Sequence, residues 1–384
     1  MKKAVLAGIV AAALVSLSSC ATAGGGSVPA VVIAQPAAPL AQNRPVPAPA
    51  SLTAGEYLAR GILSFERNEF GSAMQDFTNA LRLAPDSAEA HYWLGRTYLR
   101  WGTGFHNTDR ARAISAFTEA IRLDPDFAEA YFRRGMALLD LHVPSFQALG
   151  FSGEIEDVSD VIADFTEAIR LDPYNASWYH WLGHAHLLSG DFRSAIAAYT
   201  EAIRLEPNPA WLYSMRGRLH QHRGHYDSAI ADFTEAIRLS PHNGWYFHRR
   251  GLAHLATGHY DSAIADFAEA VRLPGNPEWA AQFNPDRAAA HVARGNARFG
   301  RGDFDGAIAD LEQAVELLPA LWAQLDPTIA AAHVARGNAR LARRDYGGAT
   351  ADFNRAILLD PKQRNCAFPT QRRASQHRLS GTNF

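Results

Sequence analysis

The chain has 384 residues, with 39 acids against 37 bases for a formal charge of −2, and 47% of its residues are apolar. That near balance gives no electrostatic case for nucleic acid, and two cysteines cannot build a disulfide framework. Length alone suggests two or three globular domains, but internal repetition overrides it, because repeat chains grow by stacking neighbours instead of closing separate cores.

Residues 1–19 read as a targeting segment. Lys2 and Lys3 supply a short positive region, and Ala4–Leu17 is an apolar stretch of secretory length, short for a spanning helix. It ends in Leu17-Ser18-Ser19-Cys20, which resembles the lipobox of bacterial lipoproteins. The resemblance implies cleavage before Cys20, diacylglycerol on its sulfur and a fatty acyl chain on the new amine. Several chains anchor a protein far more firmly than one. Ala21 follows, not Asp, which by the sorting rule of such lipoproteins favours the outer membrane. The alternative is plain secretion with cleavage near Ala21–Ala23. With Cys20 acylated, Cys366 has no partner in the chain. Residues 20–53 are rich in Ala, Pro and Gly with one charge, Arg44, and read as a semi-extended tether.

From residue 54 the chain repeats. Ala210–Pro241 carries Tyr213, Gly217, Tyr226, Ala229, Phe233, Ala236 and Pro241; the preceding unit has Tyr179, Leu182, Gly183, Phe192, Ala195, Tyr199, Ala202 and Pro207 at matching offsets. The pattern resembles the tetratricopeptide repeat (TPR), a 34-residue helix-turn-helix unit. Eight copies run over residues 54–361, with first-helix glycines at Gly61, Gly95, Gly135, Gly183, Gly217, Gly251, Gly295 and Gly337. The resemblance implies an all-α, right-handed α-solenoid of eight units. Each unit needs a small residue such as Gly217 facing Ala229, a ring such as Phe233 to fill the space left, and Pro241 to stop the second helix. Ala229, Ile230, Phe233 and Ile237 share one face, which a unit alone cannot bury.

The string Gly224–Pro241 also holds His225, Asp227, Asp232 and Glu235. Asp232 recurs as Asp76, Asp164, Asp266, Asp310 and Asp352, and is replaced by Ala116 and Ala198 in two units. A catalytic set is not copied along a rod, so Asp232 and Glu235 are expected on the water-facing side of the second helix. Glu235 is spaced to pair with Arg238, and Asp227 suits the helix dipole.

Some units depart from 34 residues. Arg100–Ala111 and Asp140–Ser159 lengthen the second and third, and the third has Val161 where a small alanine is expected, which would loosen its helix pair. Pro274–Arg287 and Pro319–Thr328 are expected as longer turns between the last units. Ala289–Arg298 and Ala331–Arg340 share the string AAHVARGNAR, which marks a late duplication.

In the TPR family the first helix lines a concave groove that takes partners. The resemblance carries that role to Tyr92, Arg96, His180, His184, Trp211, Arg218, His222, Trp245 and His248. Trp211 and Trp245 occupy one position in consecutive units, and exposed Trp and Arg are favoured binding anchors. His180 and His184 share a helical face, but Trp181 stands where a zinc helix would carry an acid, so no metal is expected. A histidine-rich groove would instead change charge near pH 6 and tune affinity. His91, His291 and His333 are read as stand-ins for the usual aromatic residue. The family's chaperone-binding mode needs lysines that are absent here, Val292 and Val334 standing beside Asn296 and Asn338. No phosphate loop, nucleophile elbow or second domain implies catalysis, and no cofactor is called for.

The tail, residues 362–384, has five Lys or Arg and no acid, and is read as unstructured. The last second helix would then be covered by the tail or by another copy. The sequence therefore points to a lipid-anchored, non-catalytic scaffold that binds envelope proteins or peptides, at the periplasmic face of the outer membrane, able to self-associate through its last repeat. A ligand-binding accessory subunit of a solute transporter and an activator of an envelope enzyme are the alternatives.

Overall fold

The structure, a computed structural model, describes residues 52–101, 107–142, 158–273 and 278–363. Cys20 with its leader, the tether as far as Ser51, residues 102–106, 143–157 and 274–277 of the inserted segments, and Cys366 with the tail from residue 364 lie outside the described residues.

Among the described residues there are sixteen α-helices and no strand, in eight consecutive pairs. The first four pairs are α1 (Ala54–Glu66) with α2 (Phe70–Leu83), α3 (Ala88–Trp101) with α4 (Asn107–Leu123), α5 (Ala128–His142) with α6 (Ser159–Leu171), and α7 (Ala176–Leu188) with α8 (Phe192–Leu205). The others are α9 (Ala210–His222) with α10 (Tyr226–Leu239), α11 (Gly244–Ala256) with α12 (Tyr260–Arg272), α13 (Glu278–Gly300) with α14 (Phe304–Leu317), and α15 (Trp322–Ala342) with α16 (Tyr346–Leu359). Each odd helix packs on its even partner, and each even helix packs on the next odd one, which makes an α-solenoid. The array opens with a capping box: Glu56 N–H donates to Thr53 Oγ1 at 3.3 Å, and Thr53 N–H donates to Glu56 Oε2 at 2.7 Å. Second helices stop one or two residues before the repeat proline, as α10 stops at Leu239 ahead of Pro241.

The pair contact is built as the repeat pattern implies. Ala229, Phe233 and Ala236 of α10 are fully buried. Glycine is required where the helices meet: a Cβ on Gly251 would lie 2.8 Å from Cε1 of Phe267. Gly251→Ala should therefore cost about 1–3 kcal/mol by overpacking, read as a lower urea midpoint. The third unit keeps the same contact despite Val161, with Gly135 against Phe165 and Val161 fully buried, so the expected loosening is not seen.

In the six units whose inner turn is described, one residue of that turn adopts the left-handed conformation. Gly190, Gly224, Gly258 and Gly302 take it with φ of 77°, 76°, 78° and 81°; the first and last units use Asn68 (60°) and Arg344 (63°) instead. Arginine lacks both the freedom of glycine and the local side-chain bonding of asparagine in that region. Arg344→Gly should stabilise the last unit by roughly 0.5–1 kcal/mol, visible as a higher thermal midpoint.

Within the two segments expected as turns, residues 278–287 and 322–328 prove to be α-helix. α13 and α15 extend upstream to 23 and 21 residues and carry Pro285 and Pro327 inside them. Each proline forfeits a backbone hydrogen bond. Burial offsets that loss: Phe283 on the α13 extension is fully covered, and Leu325 and Ile329 on α15 join the core against α14. At the far end Tyr346 and Leu358 of α16 are exposed.

Candidate partner-binding surface

Charge is sorted between two sets of arginines, and the first set corrects the reading of the repeated acids. Asp232 is 5% exposed, not water-facing. Arg216 of α9 grips it through Nη2–Oδ1 at 2.6 Å and Nε–Oδ2 at 3.0 Å. The same pairing joins Arg60 to Asp76, Arg134 to Asp164, Arg250 to Asp266, Arg294 to Asp310 and Arg336 to Asp352. Several of these arginines also reach the previous unit: Arg216 Nη1 donates to Thr200 Oγ1 at 3.1 Å, and Arg294 Nη1 to Asp261 at 2.5 Å. Each pair thus closes its unit, and all but the first also tie it to the preceding one. Glu235 does lie nearer the surface, bonded to Arg238 at 2.6 Å as its spacing implies.

The signal for this was in the sequence. Where the acid is Ala116 or Ala198, the residue before the first-helix glycine is Leu94 or Leu182, not arginine. Arginine goes with aspartate and leucine with alanine, which is how contacting positions vary. The duplicated units add more: His291 and His333 are not aromatic stand-ins, since Nδ1 of each lies 3.1 Å from Asp310 or Asp352. Burial pushes Asp310 up, but hydrogen bonds from Arg294 and His291 and the charge of Arg298 outweigh it, leaving its pKa below the ordinary value.

The nine residues carried over to the groove divide by depth. Trp211 is 43% exposed and His222 is also exposed. Arg96, His180, Arg218 and Trp245 are half-buried, and Tyr92, His184 and His248 are buried. Trp211 meets His180 of the preceding unit edge-on at 4.4 Å between centroids. His180 also lies against Trp181 and Tyr199. Trp245 faces Phe283 of the following unit at 6.1 Å, and His248 stacks on Phe283 at 3.9 Å while its Nε2 lies 2.8 Å from Asp286. Further up the array Arg96 sits over Trp93 and Phe65, at 4.4 and 4.9 Å. Tyr92 and Trp93 line an open cleft of about 510 Å³. His222 packs on Phe192, within the turn side of its own neighbours.

First helices therefore carry aromatic and arginine contacts across several unit junctions, a seam along the array. Trp181, Arg249 and Phe283 belong to it and were missed. Arg249 lies over the Trp245 ring at 4.3 Å. The helical offset of Arg249 from Gly251 equals that of Trp181 from Gly183, so one ring or cation at that offset was the available clue.

The expected pH response fails at two of these positions. Burial, and then the charge of His184, lowers the pKa of His180 to about 4, and burial lowers His184 to about 4. Both are neutral from pH 5 to 8, so neither changes charge near pH 6. Among the described residues no group of three or more His, Cys, Asp or Glu side chains converges to hold a metal ion.

A family model described as tetratricopeptide repeat matches residues 106–141, 156–210, 181–244, 214–278, 248–324 and 292–364, and one described as TPR repeat matches 62–102. Together these matches take in well over half of the chain.

The chain belongs to the tetratricopeptide repeat family.

Similar solved structures include MamA (24% identity, 48% of this chain and 90% of that one, TM-score 0.41). YrrB, a TPR protein with an unusual peptide-binding site, is another (17%, 57% and 97%, 0.44). So is pilF of Pseudomonas aeruginosa (17%, 59% and 94%, 0.43). No curated protein matches the sequence. The TPR array is a protein–protein interaction scaffold, and its seam is made of residue types suited to that work.

Proposed function

We propose that this TPR protein is a lipid-anchored scaffold of the bacterial cell envelope. Cys20 carries the lipid, the Ala/Pro/Gly-rich tether of residues 20–53 lifts the array from the periplasmic face of the outer membrane, and the first-helix seam receives envelope proteins or peptides. The observation that carries the reading is Trp211, a large ring left 43% exposed in mid-array beside His180 and one unit from Trp245. Burying such a ring against a partner supplies affinity that solvent exposure wastes. The leader of residues 1–19, followed directly by Cys20, supports this address. The scaffold acts by presenting this seam, without chemistry of its own.

Among the described residues no helix is long and apolar enough to cross a membrane; the proposed anchor is Cys20. Cys20→Ala should move the protein from the membrane to the soluble fraction and abolish labelling by a palmitate analogue. Retention and labelling unchanged in that variant would overturn the anchor. Crosslinking in membranes followed by identification of the bound proteins tests the scaffold role. The captured set should shrink with Trp211→Ala plus Trp245→Ala, and an identical set would show that the seam is not the contact surface.

A further inference from the structure

Arg249 and Arg250 are adjacent on α11 and live differently. Arg250 gives its guanidinium to Asp266 by two hydrogen bonds, at 2.7 and 2.8 Å, and reaches Thr234 at 3.1 Å. Arg249 makes no hydrogen bond to any described residue. It lies flat over Trp245, and its Nε is buried without a hydrogen-bond partner. The acid that acts on it is Asp286, whose Oδ2 is already 2.8 Å from Nε2 of His248. Arg218 of the preceding unit adds a second positive charge within electrostatic reach. Burial first, and then Arg218, pull the Arg249 pKa down to about 10, which means the free protein holds this cation at a cost.

Arg249 is thus a half-buried cation kept beside another, stacked on one indole, with no hydrogen-bonded counter-charge among the described residues. Six other first-helix arginines are matched to aspartates. A stacked guanidinium keeps its in-plane donors for a fork-shaped acceptor, which a carboxylate supplies.

Resting on the scaffold reading above, we infer that the junction of the fifth and sixth units binds an acidic peptide segment, with an Asp or Glu carboxylate taken by Arg249, the charge of Arg218 adding to the attraction, and a neighbouring apolar side chain laid on Trp211. The segment belongs to a partner protein. Charge complementarity selects it: Arg249 is a cation with no hydrogen bond to any described residue, and the acid that acts on it, Asp286, is engaged by His248.

The test pans the purified full-length protein against a random dodecapeptide display library, then measures selected peptides by fluorescence anisotropy. Selected peptides should carry an acid next to an apolar residue. Changing that acid to its amide should weaken binding by about ten-fold or more in the wild type. In Arg249→Gln the same change should make little difference, with circular dichroism and the thermal midpoint showing that the variant is folded. Arg218→Gln should give the same loss of discrimination, and added salt should weaken only the acid-bearing peptides. Selected peptides without an acid, or an acid-to-amide penalty that survives in both variants, would overturn the inference and leave the groove reading standing. Failure to select any peptide would overturn both.

Discussion

Asp232→Ala should lower the stability of the array by about 3 kcal/mol, read by urea unfolding, because it leaves the Arg216 guanidinium largely enclosed with no counter-charge. Adding Arg216→Leu should recover most of that loss. The double variant reproduces the Leu182–Ala198 combination that the fourth unit uses in place of the ion pair. The reasoning is that a buried pair contributes little net energy relative to an apolar pair of similar fit, whereas half a pair is costly. Arg216 also bonds Thr200 of the fourth unit, so some loss should persist in the double variant as weaker coupling between units. A single variant within about 0.5 kcal/mol of wild type, or a double variant no better than the single, would contradict this account of the repeated acids.

Lowering the pH should destabilise the array through two histidines of α7, half-buried His180 and buried His184. His180 and His184 have folded pKa values of about 4, against about 6.5 when unfolded. Between those values the unfolded chain binds protons that the folded chain refuses. Their contribution is therefore complete above pH 6.5 and is lost as pH falls towards 4. The expected loss by pH 4.5 is on the order of 2–3 kcal/mol for each histidine. Carboxylates also titrate in this range, so the measurement is a difference: the stability of His184→Leu relative to wild type should rise as pH falls from 7 to 4.5. A difference that stays flat would show that His184 is not buried in its neutral form. The same physics removes these two residues from any control of partner affinity between pH 5 and 8.

How much was legible can be argued from single positions. Gly217, Ala229, Phe233 and Pro241 recur at fixed offsets, and each has one mechanical reason, so the helix pairs and their stacking follow directly. Asp232 was harder because its charge pointed to water, although at three residues from Ala229 and four from Ala236 it flanks the buried face on a helical wheel. Its burial comes from a second helix, and only comparison of Arg216 and Asp232 with Leu182 and Ala198 shows the partnership. Pro285 and Pro327 pointed to turns because proline penalises helix interiors, yet the burial of Phe283, Leu325 and Ile329 outweighs the lost hydrogen bonds. The seam was read from one helix position at a time. Arg249 and Trp181 became visible once the stacking brought consecutive first helices together.

The claim on which the account turns is that partners meet the first-helix seam and not the outer face of the second helices. Site-specific photocrosslinking in intact cells of its own host tests it most directly, with benzoylphenylalanine placed at Trp211 or at the exposed Ala231 of α10. The account predicts a discrete protein adduct from position 211, diminished by Arg249→Gln, and none from position 231. An adduct from position 231 with none from position 211 would contradict it.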